Sequence, residues 1–65
     1  MWTVIYIAQN KRLAEKYKKN LSEEGLLVQL RAIGTSEHEN VSVEILVPES
    51  EVEEAHEILT DIIGR

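Results

Sequence analysis

The chain has 65 residues, no cysteine and a net charge of −5, from 12 acidic and 7 basic side chains. A domain of this length has a thin core, which a disulfide, a metal or a partner subunit usually supplements. The lack of cysteine excludes disulfides and thiolate metal sites, and the negative charge disfavours nonspecific binding to nucleic acids or anionic lipids.

The N-terminal segment Trp2–Ala8 is rich in β-branched and aromatic residues and predicts a strand. Both faces of this strand are largely apolar, so we expect both to be covered. Strict alternation would place Thr3, Ile5 and Ile7 on one face. The other face would then carry Trp2, Val4, Tyr6 and Ala8.

A helix is predicted next, from about Lys11 to Glu24. Asn10 is a suitable N-cap, and Gly25 would end the helix as a left-handed cap. The apolar stripe of this helix is formed by Leu13, Ala14, Tyr17 and Leu21. Five of the seven basic residues also fall here, and we interpret them as a solvated face: Lys11, Arg12, Lys16, Lys18 and Lys19.

Residues Leu26–Ile33 predict a second strand, with Leu27 facing outward, and a polar loop from Gly34 to Asn40 follows. Glu37, His38 and Glu39 could bind a divalent metal or respond to pH. A solvated loop accounts for the same residues without any ligand. As a candidate partner-binding loop, we single out Thr35, Glu37, His38 and Glu39.

The C-terminal third predicts a strand, Val41–Val47, and an amphipathic helix that ends at Ile63. Pro48 would end the strand, because it has no N–H to donate. Ser50 and Glu53 have the spacing of a capping box. The carboxylates and His56 of this helix are interpreted as its solvent face.

The order β-α-β-β-α predicts an α+β fold, specifically a ferredoxin-like fold without its last strand. We expect a three-stranded mixed sheet with the third strand in the centre and both helices on one face. The uncovered face would be too apolar for water, which indicates a homodimer interface. The outer edge of the first strand is a second candidate for pairing between copies. The predicted interface residues are Trp2, Val4, Tyr6, Leu27 and Leu46.

Several segments resemble a family of small prokaryotic signal-transducing proteins that are related in fold to the PII nitrogen regulators. They are Trp2–Ala8, Glu24–Leu26, Ile45–Glu49, Val52–Ala55 and Ile58–Leu59. The resemblance implies that the loop from Gly34 to Asn40 takes the position of the partner-binding loop of PII. The basic and glycine residues with which PII holds ATP have no counterpart here, so no cofactor is expected.

From these patterns we expect a non-enzymatic, cytoplasmic regulatory or adaptor module that acts as a homodimer. A protein or a small ligand would be its further partner, with no role for nucleic acid or a membrane. The alternative is a small-molecule or metal sensor that binds at the dimer crevice or at the loop of residues 34–40. An enzyme is not indicated, because no nucleophile lies near a suitable base.

Overall fold

The computed structural model describes residues 1–33 and 42–64. These residues form an α+β fold of three strands and two helices, as predicted. A 3₁₀ turn, Glu49–Glu51, precedes the second helix. The elements in chain order are β1 (Trp2–Ala8), α1 (Lys11–Glu23), β2 (Gln29–Ile33), β3 (Ser42–Pro48) and α2 (Val52–Ile63). The predicted loop of residues 34–40 lies outside the described residues, as does Val41, with which the third strand was expected to begin.

The sheet has the strand order β1-β3-β2, which confirms the predicted central position of the third strand. β3 pairs antiparallel with both of its neighbours. The prediction of a mixed sheet is therefore wrong. β1 and β2 run in the same direction, but they are separated by β3 and do not pair with each other. Within the described residues, the outer edges of β1 and β2 have no strand beside them.

Both helices pack on the same face of this sheet, because one core contains side chains from α1, α2 and the same side of β3. α1 lies against all three strands and against α2, and α2 also lies against β1 and β3. Val43, Ile45 and Val47 are the buried side chains of the central strand. The rest of the buried core consists of Ala8, Ala14, Leu21, Leu26, Ala55 and Leu59.

A β-bulge in β1 changes which side chains face the helices. Val4 pairs with Leu46 and Tyr6 pairs with Ile45, so Ile5 is an extra residue between them. The bulge shifts the alternation by one position. The prediction that Tyr6 and Ala8 share a face with Trp2 and Val4 is therefore wrong.

Tyr6 lies instead against the core, where its ring meets that of Tyr17 in α1 at 5.6 Å and 85°. Ala8 is buried in the same core. Ile7 takes the opposite face and is 53% exposed. One inserted residue thus moves Tyr6 under the helices and Ile7 away from them.

Both ends of α1 are capped as the sequence predicts. The Asn10 side chain accepts a hydrogen bond from the Leu13 amide at 2.9 Å. At the other end Gly25 has a φ of +91°, a conformation that glycine adopts without a Cβ penalty. The Leu26 amide donates to the Leu21 carbonyl, and the Gly25 amide donates to the Ser22 carbonyl. These two bonds form a Schellman motif, and its apolar pair, Leu21 and Leu26, is buried in the core.

Two local predictions, one for the start of α2 and one for the start of β2, are wrong. Ser50 and Glu53 do not form a capping box: Ser50 lies inside the 3₁₀ turn, and α2 begins at Val52 without a side-chain cap. β2 is also shorter than expected, because it begins at Gln29 and not at Leu26. The Leu27 amide donates to the Glu51 carboxylate at 3.0 Å instead of joining the sheet.

Candidate functional site

The face of the sheet opposite the helices, here called the open face, carries exposed apolar side chains from both outer strands. Trp2 and Ile33 are each 42% exposed, and Val4 and Ile7 also reach solvent. Trp2, Val4 and Ile7 lie along β1, whereas Ile33 lies apart from them at the end of β2, beyond Arg31 and Glu44. A group of exposed apolar side chains such as the one along β1 indicates a contact surface.

Leu46 lies at the centre of the open face, yet it is only 6% exposed. It points away from Val43, Ile45 and Val47 because side chains alternate along β3. Its partners in the neighbouring strands are Val4 and Gln29, and they flank it on both sides. Leu46 therefore packs against the exposed residues around it and contributes little accessible surface itself.

Three of the five predicted interface residues lie on the open face: Trp2, Val4 and Leu46. Tyr6 does not, because the bulge turns it toward the core. Leu27 is 62% exposed and lies two residues before the start of β2, outside the paired strand. The structure adds Ile7 and Ile33 to the surface that the sequence predicted.

An ion pair crosses the open face between β2 and β3. The Nε of Arg31 lies 2.5 Å from Oε1 of Glu44, and the two residues are partners in the sheet register. The hydrogen bond from Arg31 to Glu44, together with the charge of that carboxylate, raises the pKa of Arg31 above its ordinary value. The Arg31 side chain is 64% exposed, so the pair contributes little to the stability of a single copy. The pair places two charged groups among the apolar side chains of the open face.

A second feature lies on the helix-covered side, where β1 meets the C-terminal half of α2. An apolar cleft of about 340 Å³ opens there. Pockets that bind small molecules usually measure roughly 300–1,000 Å³, so this cleft is at the lower end of that range. The cleft is lined by Ile5, Tyr6, His56, Leu59, Thr60, Ile63 and Gly64.

The groups with potential chemistry are dispersed over the part of the chain that the structure describes. His56 is exposed on α2, as predicted, and lies at the polar side of the cleft beside Thr60. In residues 1–33 and 42–64, no three His, Asp or Glu side chains are grouped so that they could hold a metal ion. The candidate loop residues Thr35, Glu37, His38 and Glu39 lie outside the described residues.

No helix in the described ranges is both long enough and apolar enough to cross a bilayer. No protein-family model matches the chain, and no curated protein and no solved structure matches it significantly. The resemblance to the PII-related family therefore stays a prediction.

The sequence reasoning missed Ile7 and the cleft. One signal for Ile7 is the run Ile5-Tyr6-Ile7-Ala8, in which four apolar residues follow one another without alternation. Such a run does not fix which residues face the core, and an inserted residue is compatible with it. The cleft has no comparable signal, because it depends on how far α2 lies from the edge of β1.

Proposed function

We propose that the protein is a non-enzymatic regulatory or adaptor module of the cytoplasm that forms a homodimer through its open face. The observation that carries this proposal is the group of apolar side chains on that face, Trp2, Val4, Ile7 and Ile33, all of which reach solvent in a single copy. The absence of cysteine supports a reducing compartment.

We further propose that the fold is ferredoxin-like without its last strand, as in the PII-related proteins that the sequence resembles. The element order and the strand order β1-β3-β2 support this. In such a fold a fourth strand would pair with the outer edge of β1. A signalling role rests on the resemblance alone.

The size of the open face sets the strength expected of the dimer. Three strands at about 4.8 Å spacing, with about 3.3 Å per residue, give a face of about 14 by 23 Å, or about 330 Å². A stable interface usually buries about 800 Å² on each partner. We therefore expect a dimer that dissociates in the micromolar range, as is common among regulatory contacts.

A matched pair of substitutions tests this dimer. Ile7 lies on the open face and Ile63 on α2, and both are partly exposed isoleucines, at 53% and 42%. Ile7→Lys introduces two charges into a symmetric interface and is expected to weaken the dimer roughly tenfold or more. Ile63→Lys is expected to leave it unchanged.

Sedimentation equilibrium over the micromolar range measures both variants beside the parent protein. Circular dichroism and thermal unfolding establish that each variant is folded. A parent protein that stays monomeric throughout this range would refute the proposal. A dimer that Ile63→Lys weakens as much as Ile7→Lys would show that the open face is not its interface.

A further inference from the structure

The apolar cleft between β1 and α2 has the size of a site for one small molecule. It measures about 340 Å³, and its apolar walls are Ile5, Tyr6, Leu59 and Ile63. An apolar cavity of about 150 Å³ is enough to bind benzene, so this cleft has room for a compact body of about two rings. The cleft is on the helix-covered side, whereas the proposed dimer uses the open face, so the two surfaces do not overlap.

The polar groups at the rim of the cleft fix how a ligand would lie in it. The two polar side chains at the exposed rim, His56 and Thr60, both belong to α2 and are about one helical turn apart. On the β1 side, the Tyr6 ring is held in place by its contact with Tyr17. A ligand with one polar end is therefore oriented with that end toward the rim at α2.

Two carboxylates adjoin this rim. Glu53 precedes His56 by three residues, and Glu57 precedes Thr60 by three. On a helix this spacing makes two side chains neighbours, with their Cβ atoms about 5–6 Å apart. Both glutamates are exposed, and among the described residues neither makes a hydrogen bond or an ion pair. A cation at the rim would thus lie within reach of both carboxylates.

The charge of the surrounding elements has the same sign. No lysine or arginine lies in β1, β3, the 3₁₀ turn or α2, and apart from His56 the charged side chains of these elements are all carboxylates. The basic residues of the described chain lie instead in α1 and, as Arg31, in β2. Arg65 is outside the described residues. This half of the molecule therefore attracts cations and repels anions.

From these observations we infer that the cleft binds a small amine with a compact apolar body. The body fills the space between β1 and α2. The ammonium group lies at the rim beside His56 and Thr60, where Glu53 and Glu57 attract it. The inference does not depend on the proposed dimer, because a single copy supplies every residue of the cleft.

Titration of isotope-labelled protein with tryptamine, followed by heteronuclear NMR, tests the inference. Tryptamine joins an ammonium group to a two-ring body. We expect saturable shifts of the backbone signals of the cleft residues, with a Kd of about 0.1–1 mM. Propylamine, which keeps the ammonium group without the rings, is expected not to saturate the cleft in this range.

Two analogues of the same shape isolate the contribution of the charge. Tryptophol carries a neutral hydroxyl in place of the ammonium group and is expected to bind roughly threefold more weakly or worse. Indoleacetate carries a negative charge and is expected to bind more weakly still. Added salt is expected to weaken the binding of tryptamine and to leave that of tryptophol unchanged.

A first pair of variants locates the body of the ligand. Ile63→Gln makes one wall of the cleft polar and is expected to weaken the binding of all these indoles severalfold. Ile7→Gln, on the open face, is expected to leave it unchanged. Circular dichroism establishes that each variant is folded.

A second pair of variants locates the ammonium group. Glu53→Gln combined with Glu57→Gln is expected to reduce the affinity for tryptamine to that for tryptophol. Glu15→Gln combined with Glu23→Gln on α1 changes the net charge equally and is expected to keep the difference between the two ligands.

The inference is overturned if tryptamine causes no saturable shifts at millimolar concentration, or if the shifts fall on the open face. It is also overturned if tryptophol or indoleacetate binds as tightly as tryptamine. If a second copy fills the cleft instead, the signals of the cleft residues change with protein concentration and do not respond to the amine, which is likewise a refutation. A monomeric protein would refute the proposed dimer and leave the ligand result standing.

Discussion

The contact between Tyr6 and Tyr17 provides a direct test of the β-bulge. Their ring centroids are 5.6 Å apart and the ring planes cross at 85°, an edge-to-face arrangement. Such pairs stabilise a protein by about 0.5–1.5 kcal/mol beyond the area that they bury. A double-mutant cycle with Tyr6→Leu and Tyr17→Leu removes the individual costs of each substitution and isolates this interaction.

Urea denaturation of the four proteins of the cycle gives the free energy of unfolding of each. All four are compared at one low protein concentration, because a dimer would otherwise add to the apparent stability. We expect the double variant to retain about 0.5–1.5 kcal/mol more stability than the sum of the single losses predicts. Ile33→Ala combined with Tyr17→Leu serves as the control, since Ile33 lies on the open face and its effect should be additive.

A coupling energy within about 0.3 kcal/mol of zero would refute the placement of Tyr6, because that is the level at which distant substitutions add. In that case β1 would alternate regularly, with Tyr6 on the open face. The cleft would then lose one of its walls.

Further predictions concern the ends of the helices, and thermal and urea unfolding measure all of them. Gly25→Ala should cost about 1–2 kcal/mol from its positive φ alone, because no atom lies within 4 Å of the added Cβ; a loss below about 0.5 kcal/mol would contradict this. Asn10→Ala should cost about 1 kcal/mol, and Asn10→Asp, which keeps the capping oxygen, much less. Ser50→Ala should change stability by less than about 0.5 kcal/mol, since Ser50 makes no capping bond. A loss near about 1 kcal/mol would indicate that Ser50 does cap the helix.

Much of the fold was predictable because several signals are local. The alternation of Val43, Ile45 and Val47 identifies the face of β3 that lies under the helices. Asn10 and Gly25 mark the ends of α1 through bonds that involve only neighbouring residues. The crossover predicts that β1 and β2 run in the same direction, and the central position of β3 was expected from the ferredoxin-like topology, in which a further strand lies between them.

The rest depended on contacts between distant parts of the chain. The bulge at Ile5 arises from the register of β1 against β3, more than 35 residues away in sequence. The late start of β2 reflects the bond from the Leu27 amide to Glu51, with a separation of 24 residues. The capping box failed because a 3₁₀ turn precedes α2, so the spacing of Ser50 and Glu53 no longer matches the start of the helix.

The register of β1 also has a consequence for how the chain matures. Trp2 pairs with Pro48, so the first strand can complete its pairing only after Pro48 has been synthesised. At synthesis rates of about 5–20 residues per second, β1 waits about 2–9 seconds without a partner while its apolar side chains remain uncovered. Pairing of β1 in the sheet is thus a late event, and a factor that shields nascent chains would act on this strand first.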